Sequence, residues 1–256
     1  TRVVDKRKVR RDHADFFCTV SEGIRGKRAL EWKLVDELVP RSKFRETVEE
    51  RAQEIAARTK EKKELQGITL TSLDPQIDPD QIRYSHLLLK LDRKRGCVDF
   101  HIQGPKEKLP ESIEELHQMG DQYWLFALGR ELDDAILHLS FNEPELGTWV
   151  FHTEGNLSSV VDYEQFLIDQ SDDWLAREII LFLKRVLKRI DLSARSLISL
   201  IEPGSCFAGF LLELVLASDR SYMLEGSFED SEEPAPVIIP TSMNFGSLPM
   251  CNGLTR

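Results

Sequence analysis

The sequence lacks an excess of positive charge, lacks long apolar runs and lacks clustered cysteines, and each absence removes a class of function. Among its 256 residues, 34 Lys and Arg stand against 44 Asp and Glu, for a net charge of −10. A chain that binds nucleic acid needs a basic excess to meet phosphates, so no nucleic-acid partner is expected. The most apolar stretches, "LISLIEPG" and "FAGFLLELVLAS", are too short and too interrupted to span a bilayer, so no membrane partner is expected either. No charged n-region and apolar h-region open the chain, so no secretory leader is read. The four cysteines, Cys18, Cys97, Cys206 and Cys251, lie far apart. They form no C-x-x-C pair and no His/Cys group of zinc spacing, which points to reduced thiols in a cytoplasmic protein without a metal. The histidines are equally scattered, and no nucleophile–His pairing follows from their spacing.

What is present is 41% hydrophobic residues, enough for a sizeable core. The first unit, residues 1–65, reads as helical and charged. In "DKRKVRRDHADFFCTV", Val9, Ala14, Phe16 and Phe17 make a partial apolar face, and the basic run reads as a solvated helix surface. A helix over 44–64 carries Val48, Ala52, Ile55 and Ala56 at spacings of three and four, a stripe that needs a partner face. Residues 66–80 hold two Asp-Pro steps and no periodicity, and read as a linker.

From 81 to 256 strands and helices alternate, which argues an α/β fold. "YSHLLLKLDRKRGCVDFHIQGP" reads as two strands joined by a turn at Arg93–Gly96. Then follow a helix over "SIEELHQMGDQYWLFALGRELDDAI", a strand at "ILHLSF" and a strand at "GTWVFHTEGN". In "DDWLAREIILFLKRVLKRI", Leu175, Ile179, Phe182, Leu183, Val186, Leu187 and Ile190 share one helix face. "RSLISLIEP" reads as a buried strand, the next segment as a turn and a helix, and "RSYMLEG" and "APVIIP" as further strands.

The chemistry turns on one residue. In "GFLLELVLAS" a single acid, Glu213, interrupts an apolar helix. A carboxylate there is either a helix acid satisfied by a neighbour or an acid/base group whose pKa burial can move. Cys206, in the turn before that helix, reads as a small buried residue, and His152 as a partly buried structural histidine.

The string "PGSCFAGFLLELVLASDRSYML" resembles the signature of the crotonase (enoyl-CoA hydratase/isomerase) family: a strand, a glycine-rich turn, a Glu, an apolar helix and an Asp before the next strand. Anchored on Glu213, the family's three glycines fall on Gly209, Phe210 and Leu211, and its Asp on Asp219. "GSLPMCNGLTR" is similar to the family's closing segment at Gly246, Pro249, Gly253 and Arg256, and "FHTEGNL" to its first oxyanion loop. "SEGIRGKRALEWKLVDELVP" resembles a segment that in the family follows all of these. The resemblance therefore implies a crotonase-like β-β-α superhelix in tandem units. Residues 1–65 would be the closing helices of a first unit, 66–80 a linker, and 81–256 most of a degenerate second unit. The chain opens on "TRVVDK" without an initiator Met and reads as a piece of a longer protein.

For the site, the resemblance implies an acyl-CoA thioester substrate and no cofactor, CoA being part of the substrate. Two backbone N–H groups, mapped to Glu154 and Phe210, would hold the thioester oxygen as it becomes an enolate. Glu213 would do the acid/base work. A homo-oligomer is implied as well. The departures are specific. Phe210 and Leu211 replace glycines that let a thioester approach the backbone. Ser242 stands where the family has a second Glu, and the loop at Gly155–Asn156–Leu157 is one residue short. These departures make the second unit look degenerate, and the resemblance then implies that the working glutamates belong to the first unit, in a segment that would precede Thr1. Two other readings stay open: an ordinary acyl-CoA hydratase or isomerase using Glu213, and a structural module without chemistry.

Overall fold

Seven strands form one sheet in the order in which the chain makes them. They are β1 (Gln76–Asp78), β2 (Gln81–Arg83), β3 (Leu87–Asp92), β4 (Cys97–Gln103), β5 (Thr148–Glu154), β6 (Ser196–Ile201) and β7 (Arg220–Met223). The first four pair antiparallel, as hairpin connections allow, and β4 to β7 run parallel through helical crossovers. This is a computed structural model; it describes residues 2–58, 67–228 and 233–256, without the side chains of Arg2 and Asp5. Two compact units divide it, Thr1–Gly67 and Ile68–Arg256.

In the first unit a π-helical turn (Arg2–Lys6) precedes α1 (Arg11–Thr19), α2 (Gly26–Glu31) and α3 (Phe44–Arg58). Val9, Ala14 and Ala29 are buried, and His13 stacks on Trp32 at 4.3 Å. From the basic run, Arg7 pairs with Asp36 at 2.9 Å. The expected stripe on α3, Val48, Ala52, Ile55 and Ala56, is exposed. The remainder of the expected helix, 59–64, lies outside the described residues.

In the second unit the sheet is buried on one face. Val98, Phe100 and Ile102 of β4 alternate with half-buried neighbours, as do Trp149 and Phe151 of β5 and Leu197 and Ile201 of β6. A period of two is what a strand covered on one side requires. Those residues share one core with α4 (Ile113–Met119), α5 (Trp124–Asn142), α6 (Leu157–Asp169), α7 (Trp174–Asp191) and α8 (Gly209–Ala217). The expected face of α7 is the buried one, except that Phe182 is half-buried and meets the ring of Phe126 edge-on. Asp173 caps α7 by accepting the Leu175 and Ala176 N–H groups, and its carboxylate also faces His117. α5 and α7 approach closely at Gly129, where a Cβ would stand 2.8 Å from Leu183.

Four expectations need correction. "ILHLSF" is the end of α5: Leu132, Ala135, Ile136 and Leu139 are buried at helical spacing, and that period overrides the strand-like composition. The helix expected over 112–136 is two, broken at Gly120, whose φ of +56° an L side chain resists. "APVIIP" makes one bridge, Ile239 with Ala208, because Pro236 and Pro240 have no N–H for a ladder. β1 lies inside the stretch expected to be a linker.

Candidate functional site

The strand, turn and helix around Glu213 form as the sequence suggests. β6 ends at Ile201, Pro203–Gly204 turns the chain with Gly204 at φ +83°, and α8 starts at Gly209. Every residue of α8 from Gly209 to Val215 is buried, including Glu213, which is 1% exposed. A helix buried all round must supply a partner for any charge it carries.

Glu213 has two such partners. Its Oε2 accepts from Arg256 Nη1 at 2.7 Å, and its Oε1 accepts from Asn244 Nδ2 at 2.7 Å. The Arg256 side chain is itself 1% exposed and donates from Nε and Nη2 to both carboxylate oxygens of Asp191, at 2.9 and 2.6 Å. It also donates to the Leu248 carbonyl. One guanidinium thus joins the C-terminal end of α7, the middle of α8 and the loop after the 3-10 turn Ser242–Phe245. A planar fork of N–H donors suits two carboxylates at once.

The helix start is equally occupied. The Gly209 N–H donates to the Ile239 carbonyl at 3.1 Å, and the Leu211 and Leu212 N–H groups donate to the Ala208 carbonyl. The Phe210 N–H, expected to hold a thioester oxygen, donates at 2.6 Å to Oε2 of Glu164, a residue of α6. Glu164 has none of its surface exposed and also accepts the Thr241 hydroxyl. Burial pushes its pKa above the usual carboxylate value, with the bonds from Thr241 and Phe210 acting against that rise and the nearby Glu213 charge adding to it.

Glu154 ends β5, is exposed, and lines a cavity of about 230 Å³ with His101, His152, Glu202 and the Pro203–Ser205 turn. Neither Phe210 nor Glu213 lines that cavity. The structure places Glu213 and Phe210 on one buried helix and Glu154 at the end of β5, beside that cavity. Ser242 sits in the 3-10 turn, where its neighbours Thr241 and Asn244 touch the two buried acids. His152 Nε2 faces Asp99 Oδ1 at 3.2 Å, and its ring stacks on His101 at 4.7 Å. Burial pushes the Cys206 thiol up to about 11, so it is no ready nucleophile. Among the described residues no group of three or more His, Cys, Asp or Glu could hold a metal ion, and no helix is long and apolar enough to cross a membrane.

Sequence reasoning passed over α6 and with it Glu164. The signal was there: Val160, Tyr163, Glu164 and Leu167 fall on one helical stripe, so the stripe that buries three apolar side chains also buries an acid.

The second unit is thus a mixed α/β domain with a seven-stranded sheet. Solved structures similar to the chain include an enoyl-CoA hydratase from Geobacillus kaustophilus, at 15% identity and a TM-score of 0.37 over 56% of this chain and 47% of that one. Another is an enoyl-CoA hydratase from Bacillus halodurans, at 16% identity and a TM-score of 0.36 over 54% of this chain and 49% of that one. Among curated proteins the chain is similar along its whole length to the benzoyl-CoA-dihydrodiol lyase of Aromatoleum evansii, with 43% identity over 256 residues. Those residues are 100% of this chain and 45% of the lyase, so the chain spans about half the length of the relative it matches. No family model matches the chain.

Proposed function

We propose that this chain is part of a ring-cleaving lyase of aerobic benzoate degradation. The substrate is a non-aromatic benzoyl-CoA derivative, the 2,3-epoxide or dihydrodiol. Hydrolytic C–C cleavage leaves an aliphatic semialdehyde CoA ester and releases formate. The observation that carries this reading is the 43% identity to benzoyl-CoA-dihydrodiol lyase along the entire chain. No cofactor enters the reaction, since CoA belongs to the substrate, and the protein acts in the cytoplasm as a homo-oligomer. The tandem arrangement belongs to the same proposal.

On this reading the catalytic glutamates lie outside the chain, which supplies closing helices of one unit and a supporting second unit. Two features support the assignment. Glu213 is held by Arg256 and Asn244 in a buried network without access for a substrate. The Phe210 N–H, the expected partner of a thioester oxygen, already holds a carboxylate. The test uses a protein of the relative's length that contains this chain, with formate release measured on the benzoyl-CoA epoxide and hydration measured on a short enoyl-CoA. Formate release without hydration supports the reading. Hydration that depends on Glu213, without formate release, replaces it with an ordinary hydratase.

A further inference from the structure

The N-terminus of α8 holds a carboxyl group, and the group is the protein's own. α6 delivers Glu164 from its buried stripe, α8 receives it through the Phe210 N–H, and the Thr241 hydroxyl closes on its second oxygen. Gly209, at φ +47°, gives the carboxylate its room, because a Cβ at that position would fall on the Glu164 oxygens. The fit is therefore three-sided: an acid on one helix, an absent side chain on the next, and a hydroxyl from the loop between them and Arg256.

The lack of a cation beside Glu164 is the informative feature. Among the described residues no Lys, Arg or His pairs with it, whereas the neighbouring Glu213 has Arg256. A buried carboxylate is costly without a cation, and what compensates here is backbone N–H, hydroxyl and the positive end of a helix. Gln would fill the same volume. A carboxylate adds negative charge and acceptance at both oxygens, the two properties a helix N-terminus rewards in a bound anion.

We propose that Glu164 is an intramolecular plug: its carboxylate fills the anion seat at the start of α8, so the seat takes no acyl oxygen in this chain, and removing the side chain leaves a vacant seat that accepts a small monocarboxylate. The inference rests on this geometry alone and is independent of the ring-cleavage reading, so its test measures stability and not turnover.

Glu164→Ala is prepared in the intact protein, and its thermal midpoint is followed as sodium acetate or formate replaces sodium chloride at constant ionic strength. The expected result is a lowered midpoint in chloride that rises saturably with acetate, because a ligand that binds only the folded state stabilises it by mass action. The wild type and Glu164→Gln, whose seats are filled, show no such rise. A folded Glu164→Ala protein with the same midpoint in acetate and chloride overturns the plug, as does a wild type that responds like the variant. Should Glu164→Ala not fold, Glu164→Asp keeps the charge and withdraws the carboxylate by one methylene. Gly209→Ala then lowers the midpoint less in the Glu164→Asp background than in the wild type, since the added methyl no longer meets the acid. Equal loss in both backgrounds overturns the proposal.

Discussion

Replacing Glu213 by Gln and Arg256 by Met separates a structural acid from a catalytic one. Arg256 serves two carboxylates, Asp191 through two bonds and Glu213 through one. Removing the guanidinium leaves Glu213, 1% exposed, with only the Asn244 amide. Breaking a buried pair in this way costs about 3–5 kcal/mol, because a charge is left in a poorly solvated place. Glu213→Gln is milder, since Arg256 keeps Asp191 as its counter-ion. The new amide must turn its NH2 towards either Arg256 or Asn244 Nδ2. Asn244 cannot flip to receive it without losing the bonds its oxygen accepts from the Thr241 N–H and its nitrogen donates to the Gly209 carbonyl. One donor–donor mismatch costs roughly 1–3 kcal/mol. Urea unfolding of both variants should therefore rank Arg256→Met as the more damaging. In a longer enzyme that contains this chain, the folded Glu213→Gln variant should keep turnover within about tenfold, whereas losing a true general acid or base costs about 10²–10⁴-fold. A well-folded Glu213→Gln protein that loses more than about a hundredfold in formate release refutes the structural assignment on that same scale.

Three further expectations concern other positions. Glu131 accepts the Ser85 and His86 N–H groups, yet burial raises its pKa from 4.5 to about 7. A raised carboxylate pKa means the folded state binds the proton more tightly, so this contribution is full below about pH 4.5 and is lost as the pH rises through 7; Glu131→Gln should flatten that decline in urea midpoints, and an unchanged slope would count against it. Asp173→Ala removes the cap of α7 and its contact with His117, and should cost about 1–2 kcal/mol in chemical denaturation. Gly129→Ala places a methyl 2.8 Å from Leu183 where α5 meets α7, and a loss of about 1–3 kcal/mol is expected; stabilisation there would show that the helices part more easily than their packing suggests.

The parts of the fold that were legible are those where one period dominates. β4, β5 and β6 alternate cleanly because a single face is buried, and α7 shows a stripe because its other face is charged. Legibility failed where composition and spacing disagreed. "ILHLSF" has the residues of a strand and the spacing of a helix, and α6 mixes Ser, Asp, Glu and Gln into its apolar stripe. The candidate site was half legible. Glu213 stood out because it was isolated in an apolar helix, but its partners Asn244 and Arg256 lie 31 and 43 residues away. Nothing local connects them, since ion pairs across a core are set by how elements stack and not by spacing in the chain.

Glu213 and Glu164 show why a matched position is a weak guide to role. The sequence resemblance puts Glu213 in the place of a working carboxylate and Arg256 in the place of the arginine in a closing segment, yet the structure ties each to the other. A general acid or base needs a path to the substrate and a proton that can come and go. Glu213 has no path, because α8 is buried from Gly209 to Val215 and Arg256 and Asn244 occupy its two carboxylate oxygens. Glu164 occupies no matched position, yet it holds the N–H group on which the site's oxyanion binding would depend. One acid is paired with a cation and the other with a backbone N–H at a helix start, so both are consumed in joining α6, α7 and α8 to the loop that carries Thr241 and Asn244. What the helix gained in fixed geometry it lost in free donors: none of its first four N–H groups, Gly209 to Leu212, is left to meet a substrate.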